Sequence, residues 1–81
     1  MNTLFERKIG NNIRKYREKA GITQEVLAAK LQVNGCDITR SAVAKIEVGQ
    51  RHIYPDEIKL IKEILCISYD ELFDVNNSCD N

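Results

Sequence analysis

The stretch TQEVLAAKLQVNGCDITRSAVAKIEVG, residues 23–49, decides the fold of this chain. It predicts two helices, each preceded by a threonine that can cap its first turn, Thr23 and Thr39. Gly35 and Gly49 fall where these helices should end, because glycine readily takes the left-handed conformation that closes a helix. The sequence therefore predicts a helix, a turn and a second, shorter helix.

The shorter helix, helix 3, is predicted from Arg40 to Val48 and has two chemically different faces. At about 100° per residue one arc would face a core, and it comprises Thr39, Ala42, Val43 and Ile46. The opposite arc, called the outer face of helix 3, comprises Arg40, Ser41, Ala44, Lys45 and Val48. This face has two basic side chains, a hydroxyl group and no acid. A helix with such a face is suited to enter a DNA major groove, with its N-terminal residues at the base edges. An ordinary solvated surface is the alternative that periodicity leaves open.

Four other helices are predicted around helix 3. Helix 1 runs from about Leu4 to Ala20, and its apolar stripe comprises Phe5, Ile9, Ile13, Tyr16 and Ala20. Helix 2 begins at Gln24 and packs through Val26, Leu27, Leu31 and Val33. Helix 4 begins at Pro55 and carries two apolar strips, one of Ile58, Ile61 and Leu65 and one of Leu60 and Ile64. Helix 5 begins with a capping box at Ser68 and Glu71 and includes Leu72 and Phe73.

The length and composition indicate one all-α domain over residues 1–74 and a disordered polar tail over residues 75–81. No apolar run approaches the length of a membrane span. The N-terminal segment also lacks the apolar centre of a signal peptide. We therefore expect no contact with a membrane and a cytoplasmic location.

Patterns typical of catalysis or metal binding are absent from the sequence. The chain has three cysteines, an odd number, and one histidine, His52, which together make no metal-ligand spacing. We expect reduced thiols, with Cys66 in the core and Cys36 and Cys79 exposed. No Ser-His-acid or Gly-rich phosphate motif occurs, so neither an enzyme nor a cofactor is predicted.

Charge is distributed unevenly, although the net charge is zero. Residues 1–53 carry ten lysines and arginines against five acids, and residues 54–81 carry two against seven. This separation suggests an anionic partner at the basic end, unless the charges fall unevenly by chance. Gln24 at a helix N-terminus and Gln50 and Arg51 just after helix 3 are suited to phosphate contact. Ordinary surface positions would also explain these three residues.

These residues carry a family resemblance. The chain resembles the helix-turn-helix proteins of the Cro and lambda-repressor type, the XRE-like family, in three segments. They are IGNNIRKYREKAGITQEVLAAKL (9–31), ITRSAVAKIEVGQR (38–51) and LIKEILCISYDELF (60–73). The resemblance implies a five-helix DNA-binding fold in which helix 3 reads the major groove.

The resemblance also implies roles for individual residues. Gln24 matches the phosphate-binding glutamine of the family, and Arg17 and Glu47 match an ion pair between helices 1 and 3. Base-reading positions correspond to Arg40, Ser41 and Lys45, with Thr39 as a further candidate if helix 3 is tilted. One departure is the long turn QVNGCD, residues 32–37, between helices 2 and 3. Either helix 2 continues to about Val33, or a loop bulges outward.

The sequence thus predicts a transcriptional regulator that binds double-stranded DNA, most simply a repressor. The alternatives are a protein-interaction module of the same fold without DNA binding, and an antitoxin or restriction-controller regulator with a protein partner. One helix reads only a few base pairs, so a homodimer through helices 4 and 5 is predicted. Its surface would comprise Leu60, Ile64, Leu72 and Phe73. The alternative is that helix 5 covers the strip of Leu60 and Ile64 within one chain.

Overall fold

A computed structural model describes residues 3–74 of the chain. Five α-helices follow one another: α1 Thr3–Lys19, α2 Gln24–Val33, α3 Arg40–Glu47, α4 Pro55–Leu65 and α5 Tyr69–Phe73. No strand occurs in this part of the chain, so the predicted all-α, five-helix fold is confirmed. None of its helices is long and apolar enough to cross a membrane. The polar tail predicted over residues 75–81 lies outside the described residues, and the domain limit at residue 74 stays a prediction.

The helix starts follow the capping residues that the sequence predicts. The hydroxyl oxygens of Thr23 and Thr39 each accept a hydrogen bond of 3.1 Å from the backbone N–H three residues further on. Ser68 and Glu71 form the predicted capping box, in which the backbone N–H of each donates to the side chain of the other at 2.9 and 3.0 Å. Pro55 is the first residue of α4. Predicted and observed starts agree because each cap satisfies backbone N–H groups that the helix leaves open.

The core draws on all five helices and on the connections that flank α3. It comprises Ile9, Ile13, Leu27, Ala28, Leu31, Cys36, Ile38, Val43, Ile46, Ile53, Ile61, Leu65 and Leu72. The predicted inward positions of Val26 and Val33 are wrong, because these side chains are 39% and 86% exposed. Phe5 and Ala20, at the two ends of the predicted stripe of helix 1, are exposed as well. Helix α2 therefore presents apolar side chains to solvent as well as to the core.

The connection between α2 and α3 is pinned to the core and does not bulge outward. Helix α2 continues to Val33, the first of the two predicted arrangements. Gly35 then takes a φ of 88°, and the N–H groups of Gly35 and Cys36 donate to carbonyls in the last turn of α2 at 3.0 and 2.9 Å. The side-chain amide of Gln32 donates to the carbonyl of Ile38 at 2.7 Å. The longer turn thus reaches α3 through a closed hydrogen-bond pattern.

Two cysteines have the opposite burial from the prediction. Cys36 is buried and Cys66 is exposed, and both are free thiols. Cys36 follows the glycine that ends α2 and joins the core, and this burial raises the pKa of its thiol. Cys66 closes α4 in the left-handed conformation, with a φ of 56°, which takes it off the apolar stripe of that helix. Cys79 lies outside the described residues.

Helix α5 packs against α1. Leu72 is fully buried, and the side-chain amide of Asn12 donates to its carbonyl at 2.9 Å. Phe73 stacks on Phe5 and on Tyr69, with ring centroids 6.4 and 6.1 Å apart. Leu72 therefore cannot contribute to the dimer surface predicted through helices 4 and 5, because it faces the interior of its own chain.

Helices α1 and α3 cross at very short range. A Cβ atom at Gly10 would overlap the carbonyl oxygen of Ile46, so the close approach requires glycine. Gly49, just after α3, lies against Arg7 in a similar way, since a Cβ there would be 2.9 Å from both Cβ and Cγ of Arg7. These two contacts hold α1 across the C-terminal half of α3.

Candidate nucleic-acid interface

Helix α3 turns one face to the core and the other to solvent. Val43 and Ile46 are buried at 1% exposure, whereas all the predicted base-reading side chains are exposed. These are Thr39, Arg40, Ser41 and Lys45. Arg40 and Lys45 make no ion pair or hydrogen bond through their side chains to the rest of residues 3–74, so both cations are available to an external anion. The oxygen of Thr39 caps the helix, which leaves its methyl group for outside contacts.

Glu47 is the one acid of α3, and it is turned inward at 1% exposure. It receives hydrogen bonds from Arg17 at 2.7 and 3.2 Å, which joins α1 to α3. Hydrogen bonding to this carboxylate raises the pKa of Arg17, although burial opposes the effect. Arg17 also donates to the carbonyl of Ile22 at 2.9 Å. The negative charge is thus neutralised inside the fold and kept away from the outer face.

Gln24 joins the same network from the first residue of α2. Its side-chain nitrogen donates to Glu47 at 2.9 Å. An amide nitrogen carries two hydrogens, so one remains for an acceptor outside the protein. Gln24 and Arg40 also line one depression of about 550 Å³, beside the N-terminus of α2. The structure therefore brings a predicted phosphate contact next to a predicted base contact.

Arg51 is engaged within the chain. Its guanidinium donates to both carboxylate oxygens of Glu57 at 2.9 Å and to the carbonyl of His52 at 3.0 Å. Burial would raise the pKa of Glu57, but the hydrogen bonds from Arg51 and from the backbone N–H of Tyr54 outweigh it and lower that pKa. The hydrogen bond to Glu57 raises the pKa of Arg51. Gln50, in contrast, is exposed.

The sequence does not indicate the partner of Arg51 or a second cation near the end of α3. Glu57 lies in the first turn of α4, where the helix dipole alone accounts for an acid, and its spacing does not point to Arg51. Arg7 is one of several basic residues of α1. In the structure it lines a depression of about 400 Å³ with Leu4, Val48, Gly49 and Gln50, at the C-terminal end of the outer face. The spacing alone contained no signal for this contact.

Titratable side chains elsewhere do not assemble into a metal site. Among residues 3–74 no three His, Cys, Asp or Glu side chains lie close enough to hold a metal ion. His52 contacts Glu6, with Nδ1 and Oε1 2.8 Å apart, and this pair joins the loop after α3 to the first turn of α1.

Comparison with known protein families gives a match over most of the chain. A family model described as helix-turn-helix matches residues 13–72, well over half of the chain. No curated protein and no solved structure gives a significant match. The matched segment begins inside α1, so the first turns of that helix precede it.

Proposed function

Because this chain belongs to the XRE-type helix-turn-helix family, whose members include lambda repressor and Cro, we propose that it is a sequence-specific regulator of transcription. It binds double-stranded DNA with α3 in the major groove and acts as a repressor in the cytoplasm, without cofactor or catalysis. The observation that carries the proposal is the outer face of α3. Its cations, Arg40 and Lys45, are exposed and unpaired within residues 3–74, while the only acid of the helix is buried.

Base reading falls to the exposed side chains at the start and middle of α3. Arg40 is the first residue of the helix, and its guanidinium can donate to the O6 and N7 acceptors of a guanine. Ser41 and Lys45 can reach neighbouring base edges from the same face. The free methyl group of Thr39 suits apolar contact with a thymine methyl.

Phosphate contacts hold the helix in the groove and contribute affinity that does not depend on sequence. Gln24 beside α3 and Gln50 just after it supply polar hydrogens for these contacts. The ion pair of Arg51 with Glu57 also fixes the loop that carries Gln50. The direct phosphate contact by Arg51 that the sequence suggests stays a prediction.

The experiment is selection of duplexes from a random library, followed by anisotropy titration at several salt concentrations. Arg40→Ala should cost about 1–3 kcal/mol on the selected duplex and relax preference at one base pair. The matched control is Lys59→Ala, which removes an exposed and unpaired cation from α4 and should change neither quantity. Equal losses of affinity for Arg40→Ala on the selected and the scrambled duplex would show that Arg40 contacts the DNA backbone. Base reading would then be assigned to Ser41 or Lys45. Failure to select any preferred duplex would contradict the proposed function.

Binding to paired half-sites makes a homodimer the expected active form. Its surface lies on α4 and α5, where Leu60, Ile64 and Phe73 are only partly buried against the core. Each would bury further apolar area in a dimer, which favours association.

A second candidate is a protein-interaction module of the same fold without DNA binding. This module is favoured by the acidic end of the molecule, since residues 54–74 carry six acids against two lysines. It would bind duplex DNA weakly and without preference, so the same titrations separate the two candidates. An antitoxin or restriction controller, in contrast, would bind both DNA and a protein partner.

A further inference from the structure

The first turns of α1 lie beside the surface proposed to bind DNA, although they precede the segment that matches the family. Arg7 and Leu4 come from this part of α1. They border the same depression as Val48, the last residue of the outer face, and as Gln50. The interface therefore extends beyond α3 onto a neighbouring helix.

The backbone of this segment lies directly against α3 and the residue that follows it. Gly49 packs against Cβ and Cγ of Arg7, and Gly10, one turn later, lies against the backbone of Ile46. Glu6 contacts His52 at 2.8 Å, and Phe5 stacks on the ring of Phe73. Arg7 thus projects from a fixed point, which reduces the conformational entropy lost on binding.

The guanidinium of Arg7 is exposed, and it has no ion pair or hydrogen-bond partner among residues 3–74. No acid lines its depression, whereas the side chain of Gln50 adds a second donor there. Arg51, the cation that the sequence places nearby, is occupied by Glu57. Glu6 lines the adjoining depression with Gln50, but its carboxylate is engaged by His52. A planar guanidinium beside an amide donor matches the oxygen atoms of a phosphate group.

We propose that Arg7, together with Gln50, binds a backbone phosphate at the edge of the groove that α3 enters. This inference rests on the proposed function, because it assigns a further contact to the same interface. The eight residues of α3 span about 12 Å along the helix axis. Arg40 lies at the start of that span, Lys45 in its last turn, and Arg7 borders the residues that follow it.

The test compares Arg7→Gln with wild type by anisotropy titration over a series of salt concentrations. Glutamine keeps the Cβ and Cγ atoms that contact Gly49, removes the charge and shortens the side chain. We expect equal fold losses of affinity on the selected and the scrambled duplex, because phosphate contacts carry no sequence information. The slope of log K against log salt should fall by about one. Arg7→Lys, which restores the charge, should recover the slope, and Lys59→Ala is the control that leaves it unchanged.

Thermal melting of each variant shows that the fold is intact. A wild-type slope and affinity for Arg7→Gln, with preference lost for Arg40→Ala, would overturn the assignment of Arg7 and leave the proposed function standing. A loss confined to the selected duplex would also overturn it, because Arg7 would then read a base. Absence of salt-dependent duplex binding by the wild-type protein would overturn the proposed function and this inference together.

Discussion

Glu47 is the most deeply buried charged side chain among residues 3–74, at 1% exposure. Its carboxylate accepts hydrogen bonds from Arg17 and Gln24, so one side chain of α3 joins both preceding helices. Transfer of a charge into a protein interior is costly, and the paired guanidinium offsets much of that cost. Glu47 therefore sets where α3 lies relative to the residue proposed to contact phosphate.

We expect Glu47→Ala to reduce the free energy of unfolding by about 3–5 kcal/mol, because it leaves the buried guanidinium of Arg17 without its partner. The double variant Arg17→Met with Glu47→Leu should lose less unfolding free energy than Arg17→Met and Glu47→Leu lose singly, added together, since neither charge is then left unpaired. Urea unfolding of the four proteins measures the coupling. A Glu47→Ala protein as stable as wild type would show that the pair contributes nothing to the fold.

The ion pair between Arg51 and Glu57 should make stability depend on pH. The pKa of Glu57 lies below its ordinary value of 4.5, so the folded state holds this group ionised at a pH where the unfolded chain takes up a proton. Its contribution is complete above about pH 5 and is lost as the pH falls through the lowered pKa. In Glu57→Gln the free energy of unfolding should therefore decrease less than in the wild type as the pH falls from about 5 to 3. Glu63→Gln, at an exposed position of the same helix, is the control and should keep the wild-type dependence.

At the scale of helices, the crossing of α1 and α3 depends on the missing side chain of Gly10. A glycine inside an ordinary exposed helix is about 0.5–1 kcal/mol less stable than alanine, so Gly→Ala normally stabilises. Here the added Cβ would overlap the carbonyl oxygen of Ile46, and the helices would have to separate. We expect Gly10→Ala to lose roughly 1–3 kcal/mol, as in an overpacked core.

The matched substitution for Gly10→Ala is Asn11→Ala, at the next and exposed position of α1. It should leave stability unchanged or raise it slightly, because alanine has the higher helix propensity. Thermal unfolding of both variants decides the point. If Gly10→Ala were the more stable of the two, α1 would not be held against α3 by this contact.

The positions of the helices were predictable from local signals, whereas the contacts between the helices and loops were harder to predict. Thr23 and Thr39 indicated two helix starts because a cap depends only on residues a few positions apart. The burial of Val33 and the exposure of Cys36 were predicted wrongly, because the turn after α2 determines which of these two side chains is buried in the core. The pairing of Arg51 with Glu57 joins a loop to the next helix, and many partners for a surface arginine are compatible with the sequence. Close approach at Gly10 likewise depends on how two distant segments meet.

At the scale of the whole molecule, the proposed dimer needs two copies of α3 about one turn of DNA apart. We expect sedimentation to show two chains on each selected duplex and footprinting to show paired half-sites roughly 34–36 Å apart, centre to centre. Ile64→Gln should weaken this assembly, since Ile64 is a partly buried side chain of the proposed surface. Val33→Gln alters an exposed valine on α2 and should not. One chain on a single half-site would contradict the homodimer.

The division of α3 into a packing face and an outer face has an evolutionary consequence. Arg40, Ser41 and Lys45 contribute no side chain to the buried core, and exposed substitutions of this kind usually change stability by less than about 0.5 kcal/mol. Under the proposed function, target choice and scaffold therefore diverge separately. Descendants of one ancestral gene would acquire new operators through changes at three codons while inheriting the same fold. A library randomised at these positions should yield proteins that melt alike and select different duplexes.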